Sequence, residues 1–238
     1  MLSSRQNSTT LRSRDTAQAV AAFMSRVYLW MMVGIAISGM TAYVVANTPN
    51  LINAIMHNTI LFYGLVIFQL VAVVALSGWI QRMSIGVAST VYALYATLVG
   101  LTFSVLFLVY TASSISSAFF TTSFAFAGLS LVGYTTKRDL GPIGTFCMMA
   151  LFGLIGMMLL SFFIPALMGS GMQLAMTIAG LIIFAGLTAY DTQRIKSTYF
   201  QFTTGDQARK GAIFGALVLY LDFINLFINI LRLMGDRR

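Results

Sequence analysis

Seven apolar stretches divide this chain of 238 residues, at roughly 27–46, 60–80, 85–110, 115–134, 144–165, 172–191 and 211–231. Each is about as long as the ~20 residues that a helix needs to cross a bilayer. None alternates with the period of two that a barrel strand requires. Inside lipid, backbone groups must be satisfied within the segment, so each stretch is expected to be a helix. Composition agrees. Charged residues make up 8% of the chain, against about 25% in soluble domains. So few charges could not cover a soluble surface, whereas lipid solvates an apolar one. The expected fold is an all-α integral membrane protein with seven transmembrane helices, residues 27–238, preceded by a tail over 1–26. The tail has no apolar core of the signal-peptide kind. It is expected to begin disordered and then enter the first helix as an amphipathic segment.

The connections carry turn chemistry: Asn47, Pro49 and Asn50; Gln81 to Ser84; Ser113 to Ser117; Lys137 to Pro142; Pro165 to Gly171. The last connection is the long one, 192–210. The net charge of +8 would suggest nucleic acid in a soluble protein, but here the basic residues lie between apolar runs. They read as topology signals, with no nucleic-acid partner. Eleven fall on one side: Arg5, Arg12, Arg14, Arg26, Arg82, Lys137, Arg138, Arg194, Lys196, Arg209 and Lys210. The connections on the other side hold none, so the N-terminus is expected in the cytoplasm. Seven full spans would place Arg232, Arg237 and Arg238 outside, against the rule. A last segment that re-enters and returns is the competing topology. One cysteine, Cys147, excludes an intrachain disulfide and a cysteine-based metal site.

Three ionisable residues lie at or within the spans: Arg82, Asp191 and Asp222. Asp222 follows Gly211 by a rise of about 16 Å, near the middle of a ~30 Å hydrocarbon layer. Asp191 closes the sixth span and Arg82 the second, both toward the cytoplasm. Asp222, Asn225, Asn229 and Arg232 fall within an arc of roughly 80° on the last helix. A polar seam on such a helix turns toward a protein interior or a wet cavity. On the sixth helix Thr188 lies one turn before Asp191. The plainer reading is interhelical glue for the aspartates and asparagines, and a snorkelling topology charge for Arg82.

The segments LTAYDTQRIK (187–196) and GALVLYLDFINLFINILRLMG (215–235) resemble the signature of the Bax inhibitor-1 family, and YTTKRDL (134–140) resembles its bacterial branch. The resemblance covers most of residues 20–238. It implies a last helix at the centre of the bundle, wrapped by the other six, in a bacterial cytoplasmic (inner) membrane. It implies a pH-sensitive calcium leak, with Asp191 and Asp222 as a proton-sharing pair that offers calcium weak ligands. It implies that Arg82 pairs with Asp191 as a gate latch. Some relatives carry an acid inside the second helix; here Gln69 is the nearest polar group.

Two carboxylates in close contact and low dielectric cannot both ionise cheaply, and they titrate as a pair. Protonated, they tie two helices together. Deprotonated, they repel and offer oxygens to a hard cation. The expected partners are calcium or another cation, protons, the lipid bilayer and further membrane proteins; no cofactor is expected beyond weakly bound calcium. A non-transporting membrane protein that binds a protease or quality-control partner is the alternative. An enzyme is not expected. An intramembrane aspartyl protease would want a glycine-flanked aspartate where Leu219, Tyr220 and Leu221 precede Asp222, and its Pro-Ala-Leu triplet, Pro165–Leu167 here, precedes both aspartates. A retinal protein would want a lysine within the last helix, and none follows Lys210.

Overall fold

The computed structural model describes residues 2–237 and is helical almost throughout. Seven helices are long and apolar enough to cross a membrane. They are α1 (Leu2–Ala46), α3 (Thr59–Trp79), α4 (Ile85–Phe103) with its short continuation α5 (Leu106–Val109), α6 (Ala112–Thr135), α7 (Gly141–Phe163), α8 (Ser170–Thr198) and α9 (Gly205–Met234). The remaining helix, α2 (Pro49–His57), lies in what the sequence reads as a simple turn, with Pro49 in its first turn.

The spans are where the apolar runs place them, but several ends differ. Helix α1 is continuous from Leu2, where the sequence reading expects a disordered start; no Gly or Pro stands before Gly34 to break it. The side chains of Arg5, Arg12 and Arg14 lie outside the described residues. Ser113 to Ser117 do not break the chain. The break comes earlier, at Tyr110, and Thr111 caps α6 by accepting from the Ser114 amide. The long connection expected over 192–210 is mostly helix. Helix α8 runs on to Thr198 and a 3-10 turn to Gln201, leaving only Phe202–Thr204 before α9. Arg194 and Lys196 mark where the helix leaves the apolar layer, not where it ends, since no breaker follows Asp191 until Gly205.

Helix α9 is the axis of the molecule. Of its apolar window 72% is buried, against 33% or less in every other span. It packs against α1, α4, α6 and α8. The family resemblance implies six helices around it, but four form this ring. Helix α3 packs on α4 and α7 on α8, one layer further out. Small residues let the ring close tightly. At Gly133 on α6, a Cβ would run into the Ala189 carbonyl of α8, so the two backbones touch.

The end of α9 settles the competing topology. The Thr111 amide donates to the Asp236 carbonyl at 3.2 Å. The Asp236 amide donates to Ser114 Oγ at 2.9 Å, and Tyr110 and Arg237 form an isolated antiparallel bridge. The C-terminus is therefore tied to the α5–α6 junction. That junction follows three crossings and the α8–α9 turn follows six, so they lie at opposite ends of the bundle. Helix α9 crosses completely and does not re-enter.

Candidate functional site

Helices α8 and α9 run side by side, and their carboxyl groups meet in the contact. Asp191 is 6% exposed and Asp222 is 4% exposed. The two carboxyl groups lie within hydrogen-bonding reach of each other. A carboxylate is an acceptor only, so a bond between two carboxyl groups requires a proton on one of them. Asp222 Oδ2 has no hydrogen-bond partner. Asp191 does not close its helix; it lies seven residues before the end of α8.

The family resemblance implies a pairing of Asp191 with Arg82. The structure does not bring them together. Arg82 ends the 3-10 turn Ile80–Arg82, which packs against α9. Ile80 faces inward at 1% exposure and Arg82 is exposed. No ion pair joins Arg82 to an aspartate among the described residues. The cation whose charge reaches Asp191 is Arg194, three residues on along α8.

A group of hydroxyls that sequence reading missed adjoins the pair. Thr192, fully buried, donates to the Thr188 carbonyl at 2.8 Å and to Ser130 Oγ of α6 at 3.3 Å. The Tyr28 hydroxyl of α1 bonds to Ser130 and Thr192. Three helices are thus joined beside Asp191. Thr188, the neighbour that spacing did suggest, turns its hydroxyl onto the Phe184 carbonyl of its own helix at 2.7 Å. Ser130 and Tyr28 carry no signal in the sequence because each lies on a different helix.

The polar seam of α9 is only partly continuous. Asn225 Nδ2 donates to the Leu221 carbonyl and Asn229 Nδ2 to the Asn225 carbonyl, both at 2.8 Å. Asn229 is 8% exposed and packs on Gly180 of α8, where a Cβ would lie 2.8 Å from Asn229 Oδ1. Asn225 is half-buried, and Arg232 is exposed beyond the seam. Gln69 belongs elsewhere: its Nε2 donates to the Leu98 carbonyl at 2.8 Å and ties α3 to α4.

Among the described residues, no three His, Cys, Asp or Glu come together. Calcium takes six to eight oxygens. Two carboxylates do not form a closed shell.

The comparisons with known proteins agree with this architecture. The family model described as inhibitor of apoptosis-promoting Bax1 matches residues 20–238. The chain is 44% identical to inner membrane protein YbhL of Escherichia coli K12, over 91% of this chain and 92% of that protein. It is 37% identical to a Deinococcus radiodurans protein over 95% and 96% of the two chains. It is 33% identical to an uncharacterized membrane protein of Streptococcus pyogenes over 90% and 92%. The matched region takes in all seven spans and both aspartates, and on that ground the chain belongs to the Bax inhibitor-1 family.

Proposed function

We propose that this protein is a pH-gated cation leak of a bacterial inner membrane, with calcium as a cargo that suits its oxygen ligands. The observation that carries the reading is the buried pair Asp191–Asp222, within hydrogen-bonding reach between α8 and the central helix. While the pair holds its shared proton, it ties α8 to α9 across the bundle. Loss of the proton leaves two like charges in low dielectric, which repel and loosen the α8–α9 contact. The same oxygens then face a passing cation. The hydroxyls of Tyr28, Ser130 and Thr192 keep the surrounding helices in register while this contact changes. The role is transport, not catalysis.

The inner-membrane assignment rests on the name of the Escherichia coli relative and on the seven spans. The excess of basic residues on one side supports a cytoplasmic N-terminus and α8–α9 turn. The test is flux in proteoliposomes containing only this protein, loaded with a calcium dye and scanned across pH, with sodium and potassium as comparison ions. Flux should rise as pH rises through the range in which the pair loses its proton. No flux at any pH would reject the transport reading and favour a protein that acts through membrane partners. Flux that falls with rising pH would reject gating by carboxylate repulsion.

A further inference from the structure

A lateral cleft of about 1000 Å³ opens between α1 and α6. Its walls are apolar, with Met24, Leu29 and Met32 on α1 and Phe126 and Leu131 on α6; Phe223 of α9 forms the floor. On α1 it extends from Ala21 to Ala36, about 22 Å along the axis, nearly three quarters of a ~30 Å hydrocarbon layer. Toward the start of α1 it meets a second hollow, of about 430 Å³, lined by Thr16, Val20, Tyr134, Lys196 and Phe200. Tyr134 borders both, so the hollows adjoin at this residue, a greasy shaft on one side and a basic mouth on the other. Lys196 is fixed at that mouth. Its Nζ donates to the Tyr134 carbonyl at 2.7 Å and lies 4.5 Å over the Tyr134 ring. Among the described residues, no acidic side chain lines either part.

We propose that this groove is a binding site for one anionic glycerophospholipid, with an acyl chain in the α1–α6 cleft and the phosphate at Lys196. The charge at the mouth selects the headgroup class. The length and apolar lining of the shaft fit one extended acyl chain. Lys196 is held by its own contacts before a lipid arrives, so little freedom is lost on binding. Tyr28 and Ser130 also border the cleft. A seated chain therefore lies against the hydroxyl group beside Asp191. Lipid binding in this groove does not depend on ion transport.

The test uses delipidated full-length protein offered equal phosphatidylglycerol and phosphatidylcholine with identical chains, with retained lipid counted by native mass spectrometry. One phosphatidylglycerol per chain should be retained, favoured roughly fivefold, the worth of a single basic residue near an anionic headgroup. Lys196→Gln should abolish the preference while a chain is still retained. Ala127→Trp and Ser123→Phe place bulk in the cleft from half-buried or exposed positions of α6 and should each abolish retention of both lipids. Arg209→Gln, at an exposed basic residue paired with Asp206 outside the groove, should change nothing. Equal retention of the two lipids by the parent protein would overturn the proposal, as would full retention in both wedge variants. Displacement of the lipid by inorganic phosphate would reduce the site to an anion contact and overturn the acyl-chain assignment.

Discussion

Tyr220 and Asp222 stand two residues apart on α9 and face opposite sides of it. The Tyr220 hydroxyl lies 2.6 Å from Ser38 Oγ of α1, while the Asp222 carboxyl meets Asp191 of α8. At 100° per residue, two steps turn the helix by about 200°. The α1 side carries further ties: Ser38 Oγ also donates to the Ala96 carbonyl of α4 at 2.8 Å, and the Tyr92 and Tyr220 rings meet edge to face at 6.0 Å. Those groups are hydroxyls, rings and backbone carbonyls, whereas the contact on the α8 side is between two carboxyl groups. Helix α9 therefore has one flank of neutral polar and ring contacts and one flank where two acids meet.

Tyr220→Phe should lower stability without changing the pH response. The ring contacts remain, and Ser38 keeps its bonds to backbone carbonyls. The loss is one buried hydrogen bond, about 1 kcal/mol. Thermal unfolding in detergent would show a small drop, while the flux–pH curve keeps its midpoint and slope. A shifted midpoint would mean that the two flanks are coupled.

Asp222→Asn keeps the shape and a hydrogen bond but cannot ionise. It should fold normally and flatten the pH dependence of flux. Asp191→Asn should do the same, because a lone acid no longer faces a like charge. The double variant should be little worse than either single one, since partners in one contact are not additive. Additive effects in proteoliposome flux would show that the aspartates act separately. Loss of folded protein in both single variants would favour the plainer role of interhelical glue.

The spans and the two aspartates were legible because each is written within one segment: twenty apolar residues, or one acid in a greasy run. The pairing of Asp191 with Asp222 was implied by the family resemblance; depth alone put one near mid-layer and the other toward the cytoplasm. Contacts assembled from several helices were not legible. Tyr28, Ser130 and Thr192 come from α1, α6 and α8, and no spacing in the chain links them. Helix ends misled for a physical reason. Arg194 and Lys196 signal the edge of the membrane, but a helix without Gly or Pro continues past that edge into water. The same limit affected Arg82. Its depth suggested Asp191, but depth does not fix which way a side chain turns, and Ile80 takes the inward position.

A reporter enzyme fused after residue 238 should read outside, and one inserted at Thr203, in the short α8–α9 turn, should read inside. The C-terminal ties to Tyr110, Thr111 and Ser114 place the chain end opposite that turn. Both reporters on one side would contradict the complete crossing of α9.

Two glycines of the helix contacts should differ in tolerance. A Cβ at Gly133 would overlap the backbone carbonyl of Ala189, which cannot move without shifting α8. Gly133→Ala should cost about 1–3 kcal/mol, the usual range for overpacking. A Cβ at Gly180 would meet the Asn229 carboxamide at 2.8–3.1 Å. That group is the end of a side chain and can rotate away, at the loss of its bond to the Asn225 carbonyl. Gly180→Ala should therefore be the milder change in thermal unfolding. Equal losses would mean that Asn229 is as rigidly held as backbone.

Two arginines that the sequence makes equivalent should behave differently. Both are exposed and both count toward the same basic side, so neutralising either one alters topology signals equally. They differ in what they reach. The charge of Arg194 acts on Asp191, one turn away on the same helix, whereas Arg82 makes no ion pair with either aspartate. A nearby positive charge favours the ionised form of an acid. Arg194→Gln should therefore make the pair hold its proton more firmly and move the rise in flux to higher pH. Its exposure to solvent and salt keeps the displacement small. Arg82→Gln should leave the midpoint where it is in the parent. The reverse result, a shift with Arg82→Gln and none with Arg194→Gln, would mean that the gate works through a conformation in which Arg82 has swung onto Asp191. The latch implied by the family resemblance would then replace the electrostatic role of Arg194.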